Sequence, residues 1–129
     1  MHKILSYPLS IVYYLLLSLS LLIFHPIQWI CFNLFGYQAH TSSVVVLQWF
    51  LMRSANVLGT TFAVQGLEKL PVNKPIIYVS NHQSMFDIVS MIWFLRKTHP
   101  KFVSKKELGK GIPSVSYNLR HGGSVLIDR

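Results

Sequence analysis

From residue 4 to residue 52 the chain contains no Lys, Arg, Asp or Glu. That absence excludes an ordinary solvated surface over the first two-fifths of the protein, because globular domains are typically about 25% charged. Acidic residues are scarce throughout, four against twelve basic ones, for a formal charge of +8. Cys31 is the only cysteine, which excludes an intrachain disulfide and a cysteine-based zinc site. Set among Trp29, Ile30 and Phe32, it reads as a small buried hydrophobe. No G-x-S-x-G run occurs anywhere, so a serine on a nucleophile elbow is excluded as well. There are no internal repeats or low-complexity tracts.

What is present divides in two. Eleven of the twelve basic residues and all four acidic ones lie from Arg53 onward, giving that part a formal charge of +7. A basic surface fits nucleic acid or anionic lipid headgroups and phosphorylated substrates. The long apolar segment beside it decides for the membrane over nucleic acid. We therefore expect membrane-anchoring apolar helices in residues 1–58 and one catalytic domain portion in residues 59–129.

Within the apolar part, residues 4–24 are long enough for a helix crossing a hydrocarbon core of about 30 Å. His25-Pro26 is expected to interrupt it, since proline lacks an N–H donor and clashes with the preceding turn. Shorter apolar runs follow at 27–37 and 44–52. They are compatible with one spanning helix followed by interfacial helices, a re-entrant hairpin, or a cleaved signal peptide. By the positive-inside tendency the basic part faces the cytoplasm.

Past Gly59 the pattern changes. Residues 60–65 read as a short strand and 67–74 as a connecting turn with Pro71 and Asn73-Lys74-Pro75 as breakers. Residues 75–80 form a nearly continuous apolar run, expected of a strand buried on both faces of a parallel sheet. Residues 84–97 read as a helix, 101–104 as a strand, 113–120 as a helix stopped by Gly122-Gly123, and 124–127 as a strand. Strands alternating with helices predict an α/β fold, a mostly parallel sheet flanked by helices.

Asn81-His82-Gln83-Ser84-Met85-Phe86-Asp87 falls just after the apolar run, where ligands collect in open α/β sheets. A neutral imidazole can take a proton from an alcohol, and a carboxylate can hold its tautomer and stabilise the imidazolium. The spacing thus offers His82 as a base acting on a substrate hydroxyl, with Asp87 as its orienting acid. Each residue also has a plain alternative. Ser84-x-x-Asp87 matches a helix capping box, and one carboxylate would have to serve both purposes. Asn81 fits a turn. His99 and His121 have no metal-ligand spacing with His82, so no metal is expected.

The same residues resemble a known family. Asn81-His82 with Ser84 and Asp87 is similar to the first motif of the glycerolipid acyltransferases, in particular the 1-acyl-glycerol-3-phosphate acyltransferases. Gly66-Leu67-Glu68-Lys69-Leu70-Pro71 resembles the segment leading into it. Lys105-Lys106-Glu107-Leu108 resembles the family's middle segment, and Gly122 through Ile127-Asp128-Arg129 its second motif. Ser116 departs from the pattern, standing where the family often has glycine. The resemblance runs over about residues 62–129 and implies His82 and Asp87 as catalytic residues. Arg129, Lys105, Asn81 and Ser84 are then candidates for binding substrate. Arg129 suits a phosphate through its guanidinium fork, with a solvated terminus as the alternative; Lys105-Lys106 is alternatively a solvated pair.

The resemblance further implies transfer of a fatty acyl group from acyl-CoA or acyl carrier protein, as co-substrate, to the 2-hydroxyl of lysophosphatidic acid. The product is phosphatidic acid, and no cofactor or metal is needed. Other acceptors remain open: another lysolipid, glycerol-3-phosphate or an aminolipid. A membrane-bound fragment that only binds anionic lipid is a further alternative. The family continues with a Glu-Gly-Thr phosphate-binding motif that does not occur here, so the domain is expected to be an incomplete one.

Overall fold

A computed structural model describes residues 2–71 and 73–128. Two long helices, α1 (His2–Ile30) and α2 (Tyr37–Asn56), form an antiparallel hairpin. A π-helical stretch, Cys31–Phe35, ends α1, and the chain reverses at Gly36, whose φ of 84° is open to glycine. Phe24, Leu47 and Leu51 make the buried core between the helices, with Leu17, Leu21 and Val89 packed against it.

The remaining elements are short. α3 (Met85–Phe94) and α4 (Val115–His121) pack on the hairpin, and β1 (Val103–Lys105) pairs in parallel with β2 (Val125–Ile127). The sheet register sets Val103 beside Val125 and Lys105 beside Ile127.

α1 runs through Pro26 without the expected interruption. A proline inside a helix costs about 3 kcal/mol, and tertiary contacts just before it offset that cost. The Ser114 hydroxyl donates to the Leu21 carbonyl at 2.8 Å, and the Ser114 N–H donates to His25 Nδ1 at 3.1 Å. Further on, Asn33 Nδ2 donates to the Tyr117 hydroxyl at 3.3 Å. Lys101 Nζ and the Tyr37 hydroxyl both donate to the Gly122 carbonyl, at 2.8 and 3.1 Å. Cys31 is half-buried, less enclosed than its neighbours in sequence imply.

The expected α/β fold is only partly there: the protein is helix-rich, with one small parallel sheet of two strands. Residues 60–65 and 75–80 are extended but form no strand. Strand formation is a property of pairs, and neither segment has a ladder partner among the described residues. Nor is the second run buried on both faces. Ile77 and Val79 are 90% and 92% exposed, while Ile76 and Tyr78 are half-buried. The alternation is that of an extended chain with a single covered side.

Candidate active site

The site grows from the start of α3. Ser84 is its N-cap, with extended backbone, and its Oγ accepts from the Phe86 N–H at 3.2 Å. Asp87 reaches back over the same turn. Its Oδ2 accepts from the Ser84 N–H at 2.9 Å and from the Gln83 N–H at 2.8 Å. That oxygen also lies 3.3 Å from His82 Nδ1. Cap and orienting contact are therefore carried by one carboxylate oxygen. The two readings of Asp87 are compatible because His82, Gln83 and Ser84 all converge on it.

The electrostatics follow from this geometry. The N–H groups of Ser84 and then Gln83 hold the Asp87 carboxyl below the usual carboxylate range, outweighing the opposing effect of desolvation, and the His82 contact adds to them. Asp87 is thus an anion at neutral pH, fixed in place by backbone donors. With Nδ1 turned to this anion, Nε2 is the nitrogen on the side of the ring away from Asp87. The His82 side chain is 58% exposed and the Asp87 side chain 38%, so the pair is open to a substrate.

His82 lines a cleft of about 1320 Å³, larger than the roughly 300–1,000 Å³ of an ordinary small-molecule site. One side of it is a stripe of α1 made by Tyr13, Leu17, Leu21 and Gln28, facing Leu47 and Leu51 of α2. The other side is α3 and the extended run that includes Ile77 and Val79. Lys105 is exposed at the end of β1 and belongs to the same lining as His82. Its neighbour Lys106 instead pairs with Asp128 at 3.3 Å across the sheet, both side chains exposed.

Asn81 and Ser84 are exposed beside the histidine, and the Ser84 hydroxyl is engaged as the cap. Arg129 lies outside the described residues. His99 and His121 do not join His82: no group of three or more His, Cys, Asp and Glu able to hold a metal occurs among the described residues.

The cleft's α1 and α2 walls were not expected from the sequence. The signal was there in the polar residues of an apolar run. His25, Gln28 and Asn33 recur every three to five positions, marking one helix face. His25 meets Ser114, Asn33 meets Tyr117, and Gln28 lines the cleft.

An imidazole in contact with a carboxylate beside a cleft is an arrangement able to carry acid–base chemistry. Comparison with known proteins agrees with that class. The acyltransferase family model matches residues 61–129, and the chain belongs to the acyltransferase family. Over 65 residues it is 40% identical to a 1-acyl-sn-glycerol-3-phosphate acyltransferase of Chlamydomonas reinhardtii, an alignment covering 50% of this chain and 19% of that protein. The chain thus spans about a fifth of that relative's length. No solved structure matches.

Proposed function

We propose that this chain carries the base-bearing part of an enzyme that acylates the 2-hydroxyl of lysophosphatidic acid to give phosphatidic acid. The donor is a thioester, acyl-CoA or acyl carrier protein. The observation that carries the proposal is the 3.3 Å contact of His82 Nδ1 with an Asp87 oxygen already held by two backbone N–H groups. His82 Nε2 accepts the hydroxyl proton as the alcohol oxygen attacks the thioester carbonyl. The tetrahedral intermediate then collapses, the C–S bond breaks, and the departing thiolate takes the proton from the imidazolium. Asp87 keeps the ring oriented and offsets its transient charge. Lys105 and Arg129 are proposed to hold the phosphate, and Asn81 and Ser84 to border the acceptor.

The apolar cleft suits the acyl chain, and the hairpin suits the membrane from which both lipids arrive. Among the described residues the stretch Ser6–Phe35 is the one helix long and apolar enough to cross a membrane. Yet α1 and the π-helical stretch that ends it are docked on the rest of the protein from Tyr13, whose ring lies 6.0 Å from that of Phe86, to Asn33. Those twenty-one residues cover about 30 Å, the whole depth of a hydrocarbon core. A helix covered on one side over that length fits an in-plane or re-entrant placement better than a lipid-surrounded span. Its outer residues, among them Ile11, Leu15, Leu19 and Leu22, are exposed and available to lipid, with the catalytic part on the cytoplasmic side.

The test is His82→Ala, assayed with labelled acyl-CoA and lysophosphatidic acid in a chain extended to the length of its relatives. Removal of a general base is expected to lower the rate about 10²–10⁴-fold. Transfer at the wild-type rate would end the proposal. A panel of other lysolipids and glycerol-3-phosphate then ranks the acceptors.

A further inference from the structure

Gln28 is an anomaly in the wall of the cleft. It is fully buried, yet neither its amide nitrogen nor its carbonyl oxygen has a hydrogen-bond partner. A carboxamide has two N–H donors and an acceptor oxygen, and leaving them unmade inside a protein is costly. The neighbouring α1 positions in the lining, Tyr13, Leu17 and Leu21, are aromatic or aliphatic. Two more carboxamides, Gln48 of α2 and Asn118 of α4, belong to the same lining, so three helices bring amide chemistry to one otherwise apolar cleft.

Its place along the cleft is fixed by α1. Tyr13 packs on Phe86, next to Asp87 and so beside the catalytic pair. Gln28 lies fifteen residues further along the same continuous helix, about 22 Å away. A single fatty chain starting at His82 is accommodated over its full length, and a sixteen-carbon chain has to run fully extended to bring its far end level with Gln28.

We infer that Gln28 is a docking point for an oxygen function far out on the acyl chain, so that the cleft favours chains bearing a distal hydroxyl over plain alkyl chains. This rests on the reading of the cleft as the acyl site. Turned toward the cleft, the carboxamide pairs its oxygen and one N–H with a hydroxyl, which is both donor and acceptor, whereas a terminal methyl leaves it unpaired.

The experiment uses the full chain in detergent micelles, equilibrated with an equimolar mixture of hexadecanoic acid and the same acid hydroxylated at its terminal carbon. The ratio of the two chains retained with the protein is read by mass spectrometry for the wild type, Gln28→Leu and Gln28→Met. Micelle partitioning is common to all three and cancels on comparison. One recovered hydrogen bond predicts a ratio shifted about five- to tenfold toward the hydroxylated chain in the wild type relative to either variant. The second variant guards against misfolding of the first, and each is checked by thermal melting. Retention of both chains at one ratio in all three proteins overturns the docking point, leaving the acyl cleft intact. That result is also the one expected if a buried water alone satisfies Gln28. Retention of neither chain above empty micelles overturns the cleft reading and the docking point together.

Discussion

The loop before α3 and the hairpin that roofs it are held together in opposite ways. In the loop, every bond that shapes the site joins residues within five positions of one another: His82 and Asp87, Gln83 and Asp87, Ser84 and Phe86. In the hairpin, the bonds that seat α1 on the rest of the protein join residues 84 to 93 positions apart. The loop is therefore shaped by its own sequence, and the hairpin by what it touches. A change in the loop should strike the chemistry and spare the assembly. A change at the hairpin contacts should do the reverse.

Asp87→Asn is the severest trial of that division. The amide keeps the size of the carboxylate but loses its charge and one of its acceptor oxygens. It can still accept from the Ser84 and Gln83 N–H groups through one oxygen, but it cannot offset an imidazolium. Acyl transfer should fall about 10²–10⁴-fold, with α3 still formed by circular dichroism. Ser84→Ala is the matched control, since it removes the Phe86 N–H acceptor and leaves Asp87 untouched. It should cost about 1 kcal/mol of stability and far less rate than Asp87→Asn. If the two variants lose rate equally, Asp87 acts only as a cap.

The same contrast explains what could be read in advance. The Ser84 to Asp87 spacing is local, so both the cap and the His82 contact are legible in seven consecutive residues. Helix starts and stops near Met85 and Gly122 are legible for the same reason. Residues 60–65 and 75–80 have the composition of strands, but a ladder needs a second chain segment, and composition says nothing of whether one is alongside. Pro26 misleads likewise: the local rule that breaks a helix there is overridden by Ser114, eighty-eight positions away in the chain, through its bonds to Leu21 and His25. The cleft wall on α1 exists only because of such distant contacts.

Ser114 sharpens the comparison from the hairpin side. It is fully buried and sits at φ 61°, in the left-handed region, while donating both its N–H and its hydroxyl to α1. Ser114→Ala keeps the strained backbone and loses the hydroxyl bond, so a loss of about 1 kcal/mol is expected. Ser114→Gly loses the same bond and relieves the left-handed strain, so it should melt above the alanine variant. Thermal melting in detergent gives the order directly. An alanine variant as stable as the wild type would mean that Ser114 does not clamp α1.

The smallest effect is the one most specific to the buried side of the hairpin. His40 of α2 is fully enclosed, packed edge-on to Phe32 and near Tyr117, with neither ring nitrogen hydrogen-bonded. Burial, then the charges of His121 and Lys101, push its pKa below the ordinary value, and among the described residues no acidic side chain is paired with it. In the folded protein it stays neutral where the unfolded chain, at about 6.5, already takes up a proton. Its contribution to stability is therefore complete above about pH 6.5 and is lost as the pH falls below that value, down to the lowered folded pKa. One such group sets a ceiling of about 1.4 kcal/mol per pH unit. His40→Leu removes the titration and the two unpaired nitrogens together. It should match or exceed the wild type at pH 7 and flatten the decline between pH 6.5 and pH 5. Asp87 is shifted in the same direction, so its contribution also falls with pH, but only within and below the usual carboxylate range. Melting curves that decline equally in both proteins would show that the acid sensitivity lies elsewhere than at this histidine.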